Sequence, residues 1–127
     1  MSNKLKPTES ELEILQILWR EGSLTVKDVH KIVSQKRDIG YTTSLKIMQI
    51  MADKKLCSRE LNGKTHVYTA LVQEEDVQNG FIDNIIKQVF QGSAMELVMQ
   101  TLGNYKANKS EIADLKSFIS KMENENK

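Results

Sequence analysis

Apolar residues recur at helical spacing in three blocks before Leu56, give way to a run of strand-forming residues, and return at helical spacing through the rest of the chain. Thr8 stands three residues before Glu11 and ahead of an apolar-periodic run, the spacing at which a hydroxyl and a carboxylate cap a helix start reciprocally. A first helix is therefore expected over about Glu9 to Arg20. Ile14, Leu15, Leu18 and Trp19 line its face, Leu12 and Ile17 widen it, and Gly22 ends it. Thr25 with Asp28 repeats the capping spacing, and Val26, Val29 and Val33 give a second helix its buried stripe as far as about Ser34. After the loop QKRDIG, a third helix runs from about Tyr41 to Lys55. With Ile47, Met48 and Met51 facing inward, Thr42, Thr43, Lys46 and Gln49 face outward.

Thr25 to Leu56 thus reads as a helix-turn-helix, and CSRELNGKTHVYTALV, Cys57 to Val72, as a hairpin directly behind it. Asn62-Gly63 is the dipeptide best able to hold the positive φ angles of a two-residue turn, and Thr65, Val67, Tyr68 and Thr69 favour a strand. This is the order of a winged helix. Beyond Val72 the acidic QEED opens a helix that carries Phe81, Ile82, Ile85, Ile86, Val89 and Phe90 as far as Gly92. A second places Met95, Leu97, Val98 and Leu102 before Gly103, and a third sets Ile112, Leu115, Ile119 and Met122 in a coiled-coil-like seam. Three short amphipathic helices cannot hide all these apolar faces within one subunit, whereas pairing with an identical chain would bury them. The expected fold is mostly α with a small β-hairpin wing. It comprises an N-terminal winged helix-turn-helix domain over residues 1–72 and a C-terminal helical dimerisation region over residues 73–127.

A length of 127 residues with 39% hydrophobic content suffices for one medium domain or two small ones with a packed core. The net charge of +1 hides an asymmetry: residues 1–72 carry twelve Lys/Arg against eight Asp/Glu, and residues 73–127 six against nine. The basic half is the one that contains the helix-turn-helix. No apolar stretch is long enough to cross a bilayer, the opening SNKLKP has no hydrophobic region of a signal peptide, and the single Cys57 cannot form an internal disulfide. A cytoplasmic protein with no direct membrane association is expected.

A helix presented on a tri-helical scaffold fits the major groove of double-stranded DNA, and a basic hairpin can grip the flanking phosphates. Threonine, lysine and glutamine near the helix start can hydrogen-bond base edges, which makes Thr42, Thr43, Lys46 and Gln49 the candidate readers. Leu45 either meets a thymine methyl or packs under the wing. Lys64 at the hairpin tip, with Arg59 and His66 on its strands, is placed for phosphates, and Tyr41 and Lys54 are further phosphate candidates. Catalytic chemistry finds little support. Cys57 and His66 are expected to face each other across the hairpin, but two ligands do not make a zinc site. His30 is expected to have no nucleophile or paired carboxylate nearby, and the sequence carries no triad or phosphate-cradling loop. Glu11, Glu13, Glu74 and Glu75 sit at helix starts, where the macrodipole favours negative charge. No enzyme, metal or cofactor is expected, and the rival to DNA readout is a winged helix that docks protein without contacting DNA.

The segments PTESELEILQILWREG, GYTTSLKIMQIMADKKL and SRELNGKTHVYTALV, in this order and spacing, resemble the penicillinase-repressor family of BlaI/MecI/CopY-like winged-helix regulators, and the match spans essentially the whole chain. The tail, with its ELVMQTL segment, resembles that family's dimerisation region. The resemblance implies a homodimeric repressor that binds a palindromic operator upstream of resistance or homeostasis genes, often partnered by a membrane-bound metallopeptidase sensor. Members of the β-lactam type are released by cleavage at an Asn-Phe bond, where this chain has Gln100-Thr101. Copper-responsive members carry a cysteine-rich C-terminal site, and this chain has no cysteine after Cys57. Ile50 stands where a basic residue is common in the family's third helix.

Overall fold

The computed structural model describes residues 6–126. The reading of SNKLKP concerns residues 2–7, of which 2–5 lie outside the described residues. The elements follow in the order α1 (Glu9–Glu21), β1 (Leu24–Thr25), α2 (Val26–Ser34), α3 (Tyr41–Asp53), β2 (Cys57–Asn62), β3 (Thr65–Ala70), α4 (Glu74–Gln88), α5 (Ala94–Asn104) and α6 (Lys109–Glu125). The expected class, mostly helical with a small β wing, is the one observed. Two compact units, residues 1–83 and 84–127, divide inside α4. Compactness thus carries the first unit past the end of the wing at residue 72 and into α4, whose Val77 is fully buried.

The first unit is built around α1. Thr8 and Glu11 form both bonds of the capping box: the Glu11 N–H donates to Thr8 Oγ1 at 3.2 Å and the Thr8 N–H to Glu11 Oε1 at 2.9 Å. Two otherwise orphaned donors are thereby satisfied. Ile14, Leu15, Ile17 and Leu18 are buried, and the helix stops where Gly22 takes a φ of 89°, its N–H donating back to Leu18 O. The Thr25 hydroxyl accepts from the Asp28 N–H at 3.2 Å, but the reciprocal bond of the expected box is absent. Aspartate is one methylene shorter than the glutamate the box favours. Val29, Val33, Met48 and Met51 close the core, and each large side chain taken fully out of water contributes roughly 1.5–3 kcal/mol. Ile47, expected to face inward with the two methionines, is only half-buried. The third helix ends at Asp53, and Lys55 follows with a φ of 66°.

Hydrophobic spacing gave no sign of β1, because two residues are too few to show a period. It pairs with β3 through Leu24 opposite Tyr68 and Thr25 opposite Val67, and the sheet order is β1-β3-β2, antiparallel throughout. The wing turn is one residue later than expected. Asn62 pairs with Thr65, so the loop is Gly63-Lys64, with Gly63 at φ 68° and Lys64 on the ordinary side. Glycine at the first central position is the type II′ choice, whereas an Asn-Gly loop would need positive φ at both. The register also separates Cys57 from His66: Cys57 lies opposite Ala70 and His66 opposite Leu61. Trp19 secures the exit of the wing, its Nε1–H donating to Val72 O at 3.0 Å.

In the second unit, Ser93 caps α5 by accepting from the Glu96 N–H, and Asn108 with Glu111 forms a full capping box on α6. α5 runs through Gly103 to Asn104 rather than ending before the glycine. Neither α5 nor α6 buries a residue. Among the described residues no helix is long and apolar enough to cross a membrane.

Candidate nucleic-acid interface

A cleft of about 340 Å³ opens between α3 and the wing. α3 contributes Tyr41, Leu45 and Gln49, the wing contributes Arg59, Lys64, Thr65, His66 and Tyr68, and the start of α2 contributes Val26 and Lys27. Helical periodicity explains the α3 set: residues four apart lie one above the other on one face. Alternation explains the strand set, since Tyr68 turns inward and is buried while its neighbours on the hairpin reach the surface.

Of the residues expected to contact DNA, the cleft brings together Tyr41, Leu45, Gln49, Arg59, Lys64 and His66. Leu45 is half-buried, packing on the core while also lining the cleft. Thr42, Thr43 and Lys46 are exposed on α3 outside the cleft lining. Lys54 stands apart. Its Nζ donates to Glu11 Oε2 at 2.8 Å, so its charge is engaged by a buried carboxylate instead of being held free for phosphate. Lys27 was not among the candidates. It enters the cleft because β1 ties the first turn of α2 to β3, a placement that the undetected strand concealed.

The surroundings of His30 also differ from expectation. A hydroxyl does lie beside it: Ser44 Oγ is 2.9 Å from His30 Nδ1, and the Tyr41 ring meets the imidazole edge to face at 5.5 Å between centroids. Ser44 is only 1% exposed and so closed to any substrate. Cys57 is buried too, and burial pushes its thiol up to about 11. Among the described residues no group of three or more His, Cys, Asp or Glu is gathered as for a metal.

The second candidate surface lies on the C-terminal helices. A recess of about 460 Å³ is lined by Leu102, Tyr105, Ala107, Leu115 and Phe118, with Glu111 and Asp114 at its polar side. Tyr105 Oη donates to Glu111 Oε2 at 2.7 Å, bracing the loop between α5 and α6. That bond, with the Asn108 N–H, holds the Glu111 carboxyl below its ordinary value. Of the expected dimerisation residues, Val89, Val98, Leu102, Ile112, Ile119 and Met122 are exposed, as are Ile82 and Ile85. Ile86, Phe90, Leu97 and Leu115 are half-buried. Phe81 and Ile82 lie in the N-terminal unit, beside Leu12, Trp19 and Val77. Phe118 went unnoticed, although it stands three residues after Leu115 and is 63% exposed.

Comparison with known proteins agrees with the geometry. The family model described as penicillinase repressor matches residues 7–121. The methicillin resistance regulatory protein MecI of Mammaliicoccus sciuri is 24% identical over 122 residues, covering 95% of this chain and 99% of that protein. The penicillinase repressor of Bacillus licheniformis is 21% identical over 120 residues, or 94% of each chain. In fold, 55% of this chain resembles 85% of the solution structure of the DNA binding domain of the repressor BlaI, with a TM-score of 0.51 at 23% identity. From its first helix to its last, this chain belongs to the penicillinase repressor family of transcriptional regulators, which are not enzymes.

Proposed function

We propose that the chain is a homodimeric, sequence-specific repressor that reads a palindromic operator with α3 in the major groove and the wing on the adjoining backbone. The observation that carries this reading is the α3–wing cleft, where the base-reading candidate Gln49 shares one surface with the cations Lys27, Arg59 and Lys64. Glutamine can bond an adenine edge bidentately, while lysine and arginine on a hairpin neutralise phosphates. Thr42, Thr43 and Lys46 extend the reading face along α3. Dimerisation is supported by α5 and α6, which bury nothing of their own.

Two such units on one dimer would engage half-sites one helical turn or a multiple apart. A cytoplasmic location accompanies this role, and the names of the relatives make resistance genes the first targets to examine. A membrane-bound metallopeptidase sensor would have to cut at Gln100-Thr101 or elsewhere, and that bond lies within α5. Selection of duplexes from a random pool by the full chain, followed by footprinting, tests the proposal. A two-fold symmetric protected region is expected. Failure to enrich any sequence, or salt-insensitive retention, would favour a protein-docking winged helix instead.

A further inference from the structure

Four helices start with a side-chain cap: Thr8 on α1, Thr25 on α2, Ser93 on α5 and Asn108 on α6. α3 does not. It begins at Gly40, which offers no side chain, and its first turn carries no acidic residue to complement the helix dipole. That turn is also the one that presents Tyr41, Thr42 and Thr43 outward. The Ser44 N–H donates to Gly40 O at 3.2 Å, so the turn is closed by backbone alone, and its orientation is left to side chains from neighbouring elements.

His30, from the neighbouring α2, supplies two contacts to this turn. Its Nδ1 lies 2.9 Å from the hydroxyl of Ser44, the fourth residue of α3, and its ring meets that of Tyr41 edge to face at an interplanar angle of 82°. Ser44 is almost fully buried, so its hydroxyl depends on an internal partner, and among the described residues no buried side-chain polar atom lacks one. Tyr41 in turn lines the cleft with Gln49, Arg59 and Lys64. A chain of contacts therefore runs from α2 through one imidazole to the cleft wall.

We infer that His30 is a positioning residue for DNA reading: through the Ser44 hydroxyl and the Tyr41 ring it braces the first turn of α3 and fixes the angle at which that turn meets the groove. The inference rests on the reading of α3 as the DNA-reading helix. His30 itself touches no DNA.

The test compares full-length wild type, His30→Leu and the double variant His30→Leu/Ser44→Ala. Each is titrated against the duplex that wild type selects from a random pool and against an unselected duplex of the same length. His30→Leu leaves the Ser44 hydroxyl orphaned, which lowers stability as well. The double variant removes both polar partners, and should recover stability without recovering the lost contacts. Both variants are expected to lose roughly tenfold on the selected duplex, the size of one loosened base contact, with less than about twofold change on the unselected one. Equal losses on both duplexes, or wild-type discrimination by the double variant, would overturn the inference. If wild type itself selects no duplex, it is the reading of α3 that fails.

Discussion

The carboxylate of Glu11, 3% exposed, accepts from Lys54 Nζ at 2.8 Å across 43 positions of sequence, tying the first turn of α1 to the end of α3. Burial by itself would raise the pKa of this glutamate. The Lys54 hydrogen bond and charge, with the Thr8 N–H and hydroxyl, outweigh that penalty and hold the carboxyl below its ordinary value. A depressed folded-state pKa contributes stability that is present above the unfolded glutamate value and lost as pH falls through the lower, folded one.

Glu11→Gln keeps an oxygen for the capping box and removes the charge, so it should cost about 1 kcal/mol at neutral pH. Half of Lys54 is solvated, which keeps the figure small. Denaturant melts at stepped pH provide the check: the gap between wild type and variant should shrink below the ordinary glutamate value. A gap independent of pH would mean that the pair carries no stability.

Cys57 gives a prediction of opposite sign. Burial drives its thiol up to about 11, with Glu11 adding and Arg59 opposing. Stability from this group is complete below the ordinary thiol value and declines as pH rises from there towards 11. At pH 8 a disulfide reagent should label the folded chain only as fast as it opens, and quickly once denatured. Rapid labelling under native conditions would show the site to be exposed.

On DNA, Gln49→Ala and Lys64→Ala should fail in different ways. The first should cost roughly 1–3 kcal/mol and relax preference at one operator position; the second should weaken every sequence alike and lower the salt slope by about one per subunit. Binding isotherms at several salt concentrations separate the two. Indistinguishable behaviour would remove both assignments.

For the proposed dimer, Phe118→Asp introduces a charge on an exposed aromatic that lines the recess of the C-terminal helices. Sedimentation should show the variant as a monomer at concentrations where wild type is a dimer, with the helical content of residues 9–53 unchanged. Dimers of equal strength would place the interface elsewhere.

Much of this was legible in the sequence because the signals are local. Thr8-x-x-Glu11, Gly22 and the spacing of Ile14, Leu15 and Leu18 act over one or two turns, and α1 formed as expected. Tertiary placement was not legible in that way. β1 is too short to show alternation, and without it nothing brings Lys27 into the cleft. The Asn62-Gly63 signal located the turn, but the pairing of Asn62 with Thr65 moved it by one residue. Lys54 reads as a free cation because its partner, Glu11, lies 43 positions away on α1. His30 looked idle for the same reason, its partners being on another helix.

The two residues of β1 have a mechanical consequence. Thr25 belongs at once to the sheet and to the cap of α2, so the hairpin cannot swing away from the helices without unseating a helix start. The spacing between α3 and the wing is therefore coupled to the start of α2 through that pairing. If α3 and the wing grip a duplex as proposed, the DNA must supply whatever bending the fit requires, and sequences that bend easily would gain an advantage the protein never touches.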